Sequence, residues 1–332
     1  MRSGRSPLVA LLYWSFVLFL CVIVTEASVR VWGLAPTYTL QARAIPYSLQ
    51  LVLDDARLFR VLPDERHSIN PSGFRDAPFV KRDPNRSRTL ILGDSFPMGL
   101  FVDPTETFPK QLEQKLPKSE VLNLGIQGYG PDQELVVLKT IGTFLKPDTV
   151  VWSLFPVNDY SDIRKNELFH LDPSGALTRT SPNAVTSLYP LFRASMLFRF
   201  LATGRFLSPE KEAALHPILF ADYEEDQTAA PEIIDLMRAI LSAGRDTARD
   251  MNAHLIALIL PSYQQALPNS TTSTALNTTT KSLLNSLGIQ TIDLSDSFRG
   301  HPELYTEEEH HLSKAGHAAV ADALVKAIAS AP

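Results

Sequence analysis

In Leu90-Ile91-Leu92-Gly93-Asp94-Ser95-Phe96, three branched apolar residues run into a glycine, an aspartate and a serine. Such a run reads as a buried strand that surfaces abruptly. In an open parallel sheet, the crevice beyond the carboxyl ends of the strands is where ligands bind. Ser95 stands at such an end.

Downstream of this run, strands alternate with helices. Thr89–Leu92 is the first strand, and Glu106–Leu116 follows as a helix with Phe108, Leu112 and Leu116 four apart on one face. Val121–Leu124 is the second strand, Gln133–Leu145 a helix, and Thr149–Phe155 the third strand. Pro231–Met251 is a helix with Ile233, Met237, Ile240 and Leu241 inward; His254–Leu260 is the fourth strand, Ser273–Leu287 a helix and Ile289–Leu294 the fifth strand. Ser313–Ile328 is the last helix, with Ser313 as its N-cap. Strict alternation implies right-handed crossovers and a parallel sheet covered on both faces. The expected fold class is α/β, a three-layer α/β/α sandwich around a five-stranded parallel sheet.

Two segments break this pattern. Residues 27–87 are punctuated by prolines and charged clusters and read as a connector, in which Asn70-Pro71-Ser72-Gly73-Phe74-Arg75 is a turn with one apolar anchor, Phe74. Residues 161–230 read as an insertion in an α/β domain spanning 88–330. Its stretch Leu188–Leu207 is rich in large apolar residues with Arg193, Arg199 and Arg205 interspersed. That composition suits a helical pair packed on the sheet domain, or a lid that touches a membrane or an acyl chain.

A serine hydroxyl is a poor nucleophile until a base takes its proton, and histidine is the usual base because its pKa lies near working pH. The developing oxyanion then needs donors aimed at it. His311, in Glu307-Glu308-Glu309-His310-His311-Leu312-Ser313, follows the fifth strand and so lies on the same sheet edge as Ser95. Glu308, three residues earlier, is near enough in one turn to orient the imidazole. Gly128 follows the second strand and Asn158 the third, so a backbone N–H and a side-chain amide converge on the same crevice. Each residue also has a plainer reading: Ser95 as a helix N-cap, Gly128 as a turn glycine, Asn158 as a turn cap with Asp159. The plainer reading of His311 is a solvated loop histidine, His310 is the other candidate base, and His317 reads as a structural residue of the last helix. His310, His311 and His317 beside Glu307–Glu309 hold enough donors for a metal, but their spacing matches no His-Glu-x-x-His helix.

This set resembles the SGNH (GDSL-type) hydrolase family, whose blocks stand in the same order. Gly93-Asp94-Ser95 matches the nucleophile block, Gly128 and Asn158 the oxyanion-hole glycine and asparagine, and His311-Leu312-Ser313 the terminal block. The resemblance covers roughly residues 89–328, and Asn70–Arg75 is similar to an element preceding this domain in membrane-anchored bacterial members. It implies a flavodoxin-like sheet and acyl-ester hydrolysis or acyl transfer without a metal or other cofactor. Ser95 would attack, His311 would serve as base and then acid, and Ser95 N–H, Gly128 N–H and Asn158 would hold the oxyanion. One departure is that the family's usual Asp is Glu308 here, longer by one methylene, which leaves a Ser95–His311 dyad open. The implied substrates are small-molecule, glycan or lipid acyl esters. An O-acyltransferase of envelope glycans and a non-catalytic glycan-binding protein remain alternatives.

From Ser6 to Thr25 no residue is charged, and Leu8–Val24 is almost wholly apolar. Twenty residues of helix reach about 30 Å, enough to cross a bilayer core. Arg2 and Arg5 precede the run and favour a cytoplasmic N-terminus, leaving the remainder outside. Residues 1–26 therefore read as a cytoplasmic tip and transmembrane anchor, or as a signal peptide, although Thr25-Glu26-Ala27 is a poor cleavage site. The formal charge of −5 and pI of 5.9 argue against nucleic-acid binding. The single cysteine, Cys21, excludes an intramolecular disulfide. The sequons at Asn85, Asn269 and Asn277 are read as chance.

Overall fold

A computed structural model of the chain describes residues 7–32, 49, 51–54, 56–180, 195, 197, 227–307 and 310–329. The chain divides into two units, residues 1–39 with 181–221 and residues 40–180 with 222–332. In the first, helix α1 (Pro7–Val31) is apolar along nearly its whole length. Its stretch Leu8–Val31 has a mean hydropathy of 2.6 over its best window and is long enough to span a bilayer. At its polar end Glu26 pairs with Arg30 (2.6 Å) and accepts from Ser195 Oγ (2.7 Å) and the Leu197 N–H (2.8 Å).

The second unit is the α/β domain. It begins with an antiparallel hairpin, β1 (Leu51–Asp54) and β2 (Leu58–Val61). The first strand of the central sheet is β3 (Ser87–Gly93), which leads into the short helix α2 (Ser95–Met98) and then α3 (Phe108–Lys115). After β4 (Ser119–Gly125), helix α4 (Pro131–Val137) continues through a π turn, Leu138–Gly142, into α5 (Thr143–Leu145). Strand β5 (Thr149–Leu154) and helix α6 (Pro156–Asn166) follow, then a small hairpin, β6 (Phe169–Leu171) with β7 (Leu177–Arg179). Helix α7 (Pro231–Asp250), β8 (His254–Ile259), α8 (Tyr263–Ala266), α9 (Ala275–Ser286), β9 (Gln290–Asp293), α10 (Ser295–Phe298) and α11 (Lys314–Ala329) complete the domain.

The five central strands are all parallel and ordered β4-β3-β5-β8-β9. Numbered along the sheet's own sequence, this is the 2-1-3-4-5 order of flavodoxin-like folds, with the switch point beside the first strand. Register puts Ile91, Val151 and Ile256 on one face, where they share a core with Phe108 and Leu112 of α3 and Val320 and Leu324 of α11. Leu92, Trp152 and Ala257 lie on the opposite face, where Trp152 meets α4 and α7. The three layers and the parallel sheet expected from the alternating pattern are thus present.

Three boundaries depart from the pattern for physical reasons. Strand β3 begins at Ser87 rather than Thr89 because the charge of Arg88 is matched inside the domain. Its guanidinium pairs with Glu120 at 2.6 Å and donates to the carbonyls of Leu145 and Val80. The segment expected as a connector carries real structure, since β1–β2 and the Asn70–Arg75 turn belong to the same unit as the sheet and Phe74 is fully buried. At the expected insertion, residues 161–166 finish α6, which is tied to α9 by a 2.9 Å bond between Tyr160 Oη and Thr280 Oγ1. Of Leu188–Leu207, only Ser195 and Leu197 are among the described residues, so the packed-pair and lid readings fall outside them.

Candidate active site

The site is assembled where β3 gives way to α2. Gly93 has φ +149°, and a Cβ there would lie 2.6 Å from Pro97 Cγ and 3.0 Å from Ser153 Cβ, so only glycine allows the turn. Asp94 then caps α2, its Oδ1 accepting the Phe96 N–H at 3.0 Å. This leaves Ser95 at the first position of the helix, 8% exposed.

His311 reaches Ser95 from the far end of the chain, with Nε2 2.9 Å from Ser95 Oγ. The loop that carries it is pinned on both sides. The Thr306 N–H donates to the His311 carbonyl at 2.7 Å, and Ser313 Oγ accepts the Gly316 N–H at 3.3 Å as α11 begins. His310 has φ +54° and its ring stacks on Tyr263 with centroids 4.4 Å apart, so of the two neighbouring histidines it is His311 that faces Ser95. His317 is buried in α11, and its Nδ1 accepts the Phe108 N–H at 3.1 Å. Desolvation pushes its pKa down to about 3, so it is a neutral acceptor in the core. Glu308 and Glu309 lie outside the described residues.

Gly128 sits in the exposed turn after β4 with φ +74°. The same loop is held against the Gly93–Ser95 turn, because the Ile126 N–H donates to the Gly93 carbonyl at 3.0 Å. Neither the Ser95 N–H nor the Gly128 N–H meets an acceptor among the described residues. Asn158 lies in the first turn of α6, 7% exposed, with Nδ2 3.4 Å from Asp94 Oδ2. An amide nitrogen carries two hydrogens, so one can rest on Asp94 while the other is free for a ligand. Ser95, His311 and Asn158 are therefore linked directly or through Asp94, and the Gly128 loop is fastened to the same turn.

Beneath the site lies a group of buried carboxyls. Burial raises the Asp94 pKa to about 6 against the bonds from Phe96 and Asn158. It raises Asp132 to about 7, although Asn166 and the Gln133 N–H bond its Oδ1. Glu134 accepts Trp152 Nε1 at 2.5 Å and Asp159 accepts the Phe155 N–H at 2.9 Å; desolvation first, and then the neighbouring acids, raise both. Glu134 falls in what the pattern shows only as a helix and Asp132 just before it, and their burial is invisible without the tertiary fold.

No family model and no curated protein matches the sequence. Among solved structures, the chain is similar to a protein described as lipolytic, of the G-D-S-L family, from Desulfitobacterium hafniense. The identity there is 13%, the TM-score 0.43, and the match covers 73% of this chain and 99% of that one. It is also similar to the psychrotrophic esterase EstA of a Pseudoalteromonas species, at 13% identity and TM-score 0.41, covering 73% and 97%. A lipase/acylhydrolase of Enterococcus faecalis is similar at 13% identity and TM-score 0.41, covering 73% and 95%. The chemistry open to this site follows from the chain's own geometry.

Proposed function

We propose that the chain is a serine-dependent ester hydrolase, anchored by α1 with its α/β domain outside the cytoplasm. The observation that carries this reading is the 2.9 Å contact between Ser95 Oγ and His311 Nε2 at the switch point of the sheet. In the proposed reaction Ser95 Oγ attacks the acyl carbonyl while its proton passes to His311 Nε2. The oxyanion that forms is met by the N–H groups of Ser95 and Gly128 and by Asn158 Nδ2. His311 then returns the proton to the leaving alkoxide, and water, deprotonated by the same imidazole, releases the acyl group from Ser95. Glu308 is proposed as the carboxylate that orients His311 through Nδ1, and Glu308→Ala separates a triad from a Ser95–His311 dyad.

The full chain in detergent micelles should hydrolyse p-nitrophenyl acetate or butyrate, and Ser95→Ala should lower kcat by about 10⁶-fold, to background. A fluorophosphonate should label the wild type at Ser95 and fail to label Ser95→Ala. Undiminished hydrolysis by Ser95→Ala would overturn the assignment. A folded wild type that neither hydrolyses esters nor takes the fluorophosphonate would put a binding role ahead of an enzyme.

A further inference from the structure

The turn Asn70–Arg75 takes no part in the chemistry above, yet it ends on a charged side chain only 5% exposed. Asn70 closes the turn: Oδ1 accepts the N–H groups of Ser72 (2.9 Å) and Phe74 (3.2 Å), and Nδ2 donates to the Ala77 carbonyl at 3.0 Å. The buried Phe74 ring anchors it. From there the Arg75 guanidinium donates to the carbonyls of Met98 (3.3 Å), Gly99 and Val102 (2.9 Å). These carbonyls bracket Leu100 and Phe101 in the loop that leaves α2. A planar guanidinium is pre-organised for several acceptors at once, and a donor stranded in the interior is costly, so such a set fixes the backbone it touches.

What the bracket holds is a strained residue. Phe101 has φ +69°, a left-handed conformation that is an outlier for a bulky side chain. Strain of this kind persists only where its surroundings over-determine it. Here it sets the Phe101 ring against the His311 imidazole, centroids 5.2 Å apart and planes 57° apart. Phe96, next to the serine, stacks on the same imidazole at 5.2 Å and 24°. Two phenylalanine rings thus flank the group that must keep Nε2 on Ser95 Oγ, one from α2 and one from the strained loop.

We propose that Arg75 and Phe101 are positioning residues for His311: Arg75 holds the 98–102 backbone so that the Phe101 ring covers and orients the imidazole. Neither residue makes or breaks a bond in the reaction. The kinetic half of the test rests on the ester-hydrolase reading, and the chemical half does not.

The test uses the full chain in detergent micelles as wild type, Phe101→Gly, Arg75→Met and the double variant. Two quantities are measured: the rate at which diethyl pyrocarbonate modifies His311, followed by peptide mass, and kcat and KM on p-nitrophenyl acetate. Glycine accepts the left-handed conformation without strain, so Phe101→Gly should melt no lower than wild type. Its His311 should be modified several-fold faster, and kcat should fall by about 10- to 100-fold with little change in KM, the scale of a displaced reacting group. Arg75→Met should shift both quantities the same way in the wild-type background. It should add almost nothing to Phe101→Gly, because the ring it places is gone. Arg75→Lys, which keeps the charge but loses the planar fork, takes its place should Arg75→Met fail to fold.

A folded Phe101→Gly with His311 reactivity and kcat both unchanged would overturn the proposal. So would an Arg75 effect that adds in full to that of Phe101→Gly. If the wild type hydrolyses no ester, the hydrolase reading fails while His311 reactivity still decides this one.

Discussion

A carboxyl with a raised pKa in the native state is a group whose charge the fold resists, and Asp132 is such a group. It is 1% exposed; its Oδ1 has the Asn166 amide and the Gln133 N–H, while its Oδ2 has no hydrogen-bond partner. Burial lifts its pKa from an ordinary 3.8 to about 7. Between those values the native state keeps a proton that the unfolded chain has released. Stability therefore falls as pH rises through that window and levels off above it. Asparagine keeps the shape and one acceptor without the charge. Asp132→Asn should stabilise the protein at pH 8 by an amount on the order of a few kcal/mol, and should change little at pH 4. Thermal melts of both proteins at the two pH values check this, and an equal effect at both would show that the Asp132 charge is not what the fold resists. Asp94, raised to about 6 by the same burial, adds to the trend with the same sign.

Among elements, the contact between α7 and β5 leaves no room for a side chain at Gly244 in the layer opposite α3 and α11. Gly244 of α7 lies against Trp152 of β5, and a Cβ there would come 2.0 Å from Trp152 Cζ3. The indole cannot step aside freely, because Nε1 is bonded to the buried Glu134 carboxyl. Gly244→Ala should therefore cost about 1–3 kcal/mol by overpacking, against its favourable helix propensity, measured by urea denaturation. A neutral or stabilising result would mean that the helix shifts as a body. Elements of this kind were legible before the structure because their period is local: β3, β8 and α7 lie within a few residues of where their apolar spacing puts them. The position of His311 was legible for the same reason, as a histidine between the last strand and the last helix, whereas its contact with Ser95 depends on the fold. What was not legible depends on partners distant in sequence. Arg88 reads as a strand boundary until Glu120 and the Leu145 carbonyl are seen beside it. Arg75 reads only as the last residue of a turn until the carbonyls of Met98, Gly99 and Val102 close on it.

If α1 spans a bilayer, the charges that flank it decide on which side Ser95 lies. Over the 24 residues Leu8–Val31, α1 is about 36 Å long at 1.5 Å per residue, slightly more than a hydrocarbon core. Its first charged residue is Glu26, and Trp32 stands just past its end, where an indole suits the interface. Before it come Arg2 and Arg5, which by the positive-inside rule support the proposed topology, with a cytoplasmic N-terminus and the α/β domain on the other side. A helix that spans resists extraction in alkaline carbonate, whereas a peripheral domain or a cleaved product does not. The full chain should stay in the membrane pellet, with its N-terminal sequence intact through residue 31. Protease added to the outer face of intact membranes should digest the α/β domain and leave a small fragment containing α1. Release into the carbonate supernatant with an N-terminus near Ala27 would mean that the helix is a signal peptide and the domain is soluble. Protection of the domain from outside protease would put Ser95 in the cytoplasm and remove envelope esters from its reach.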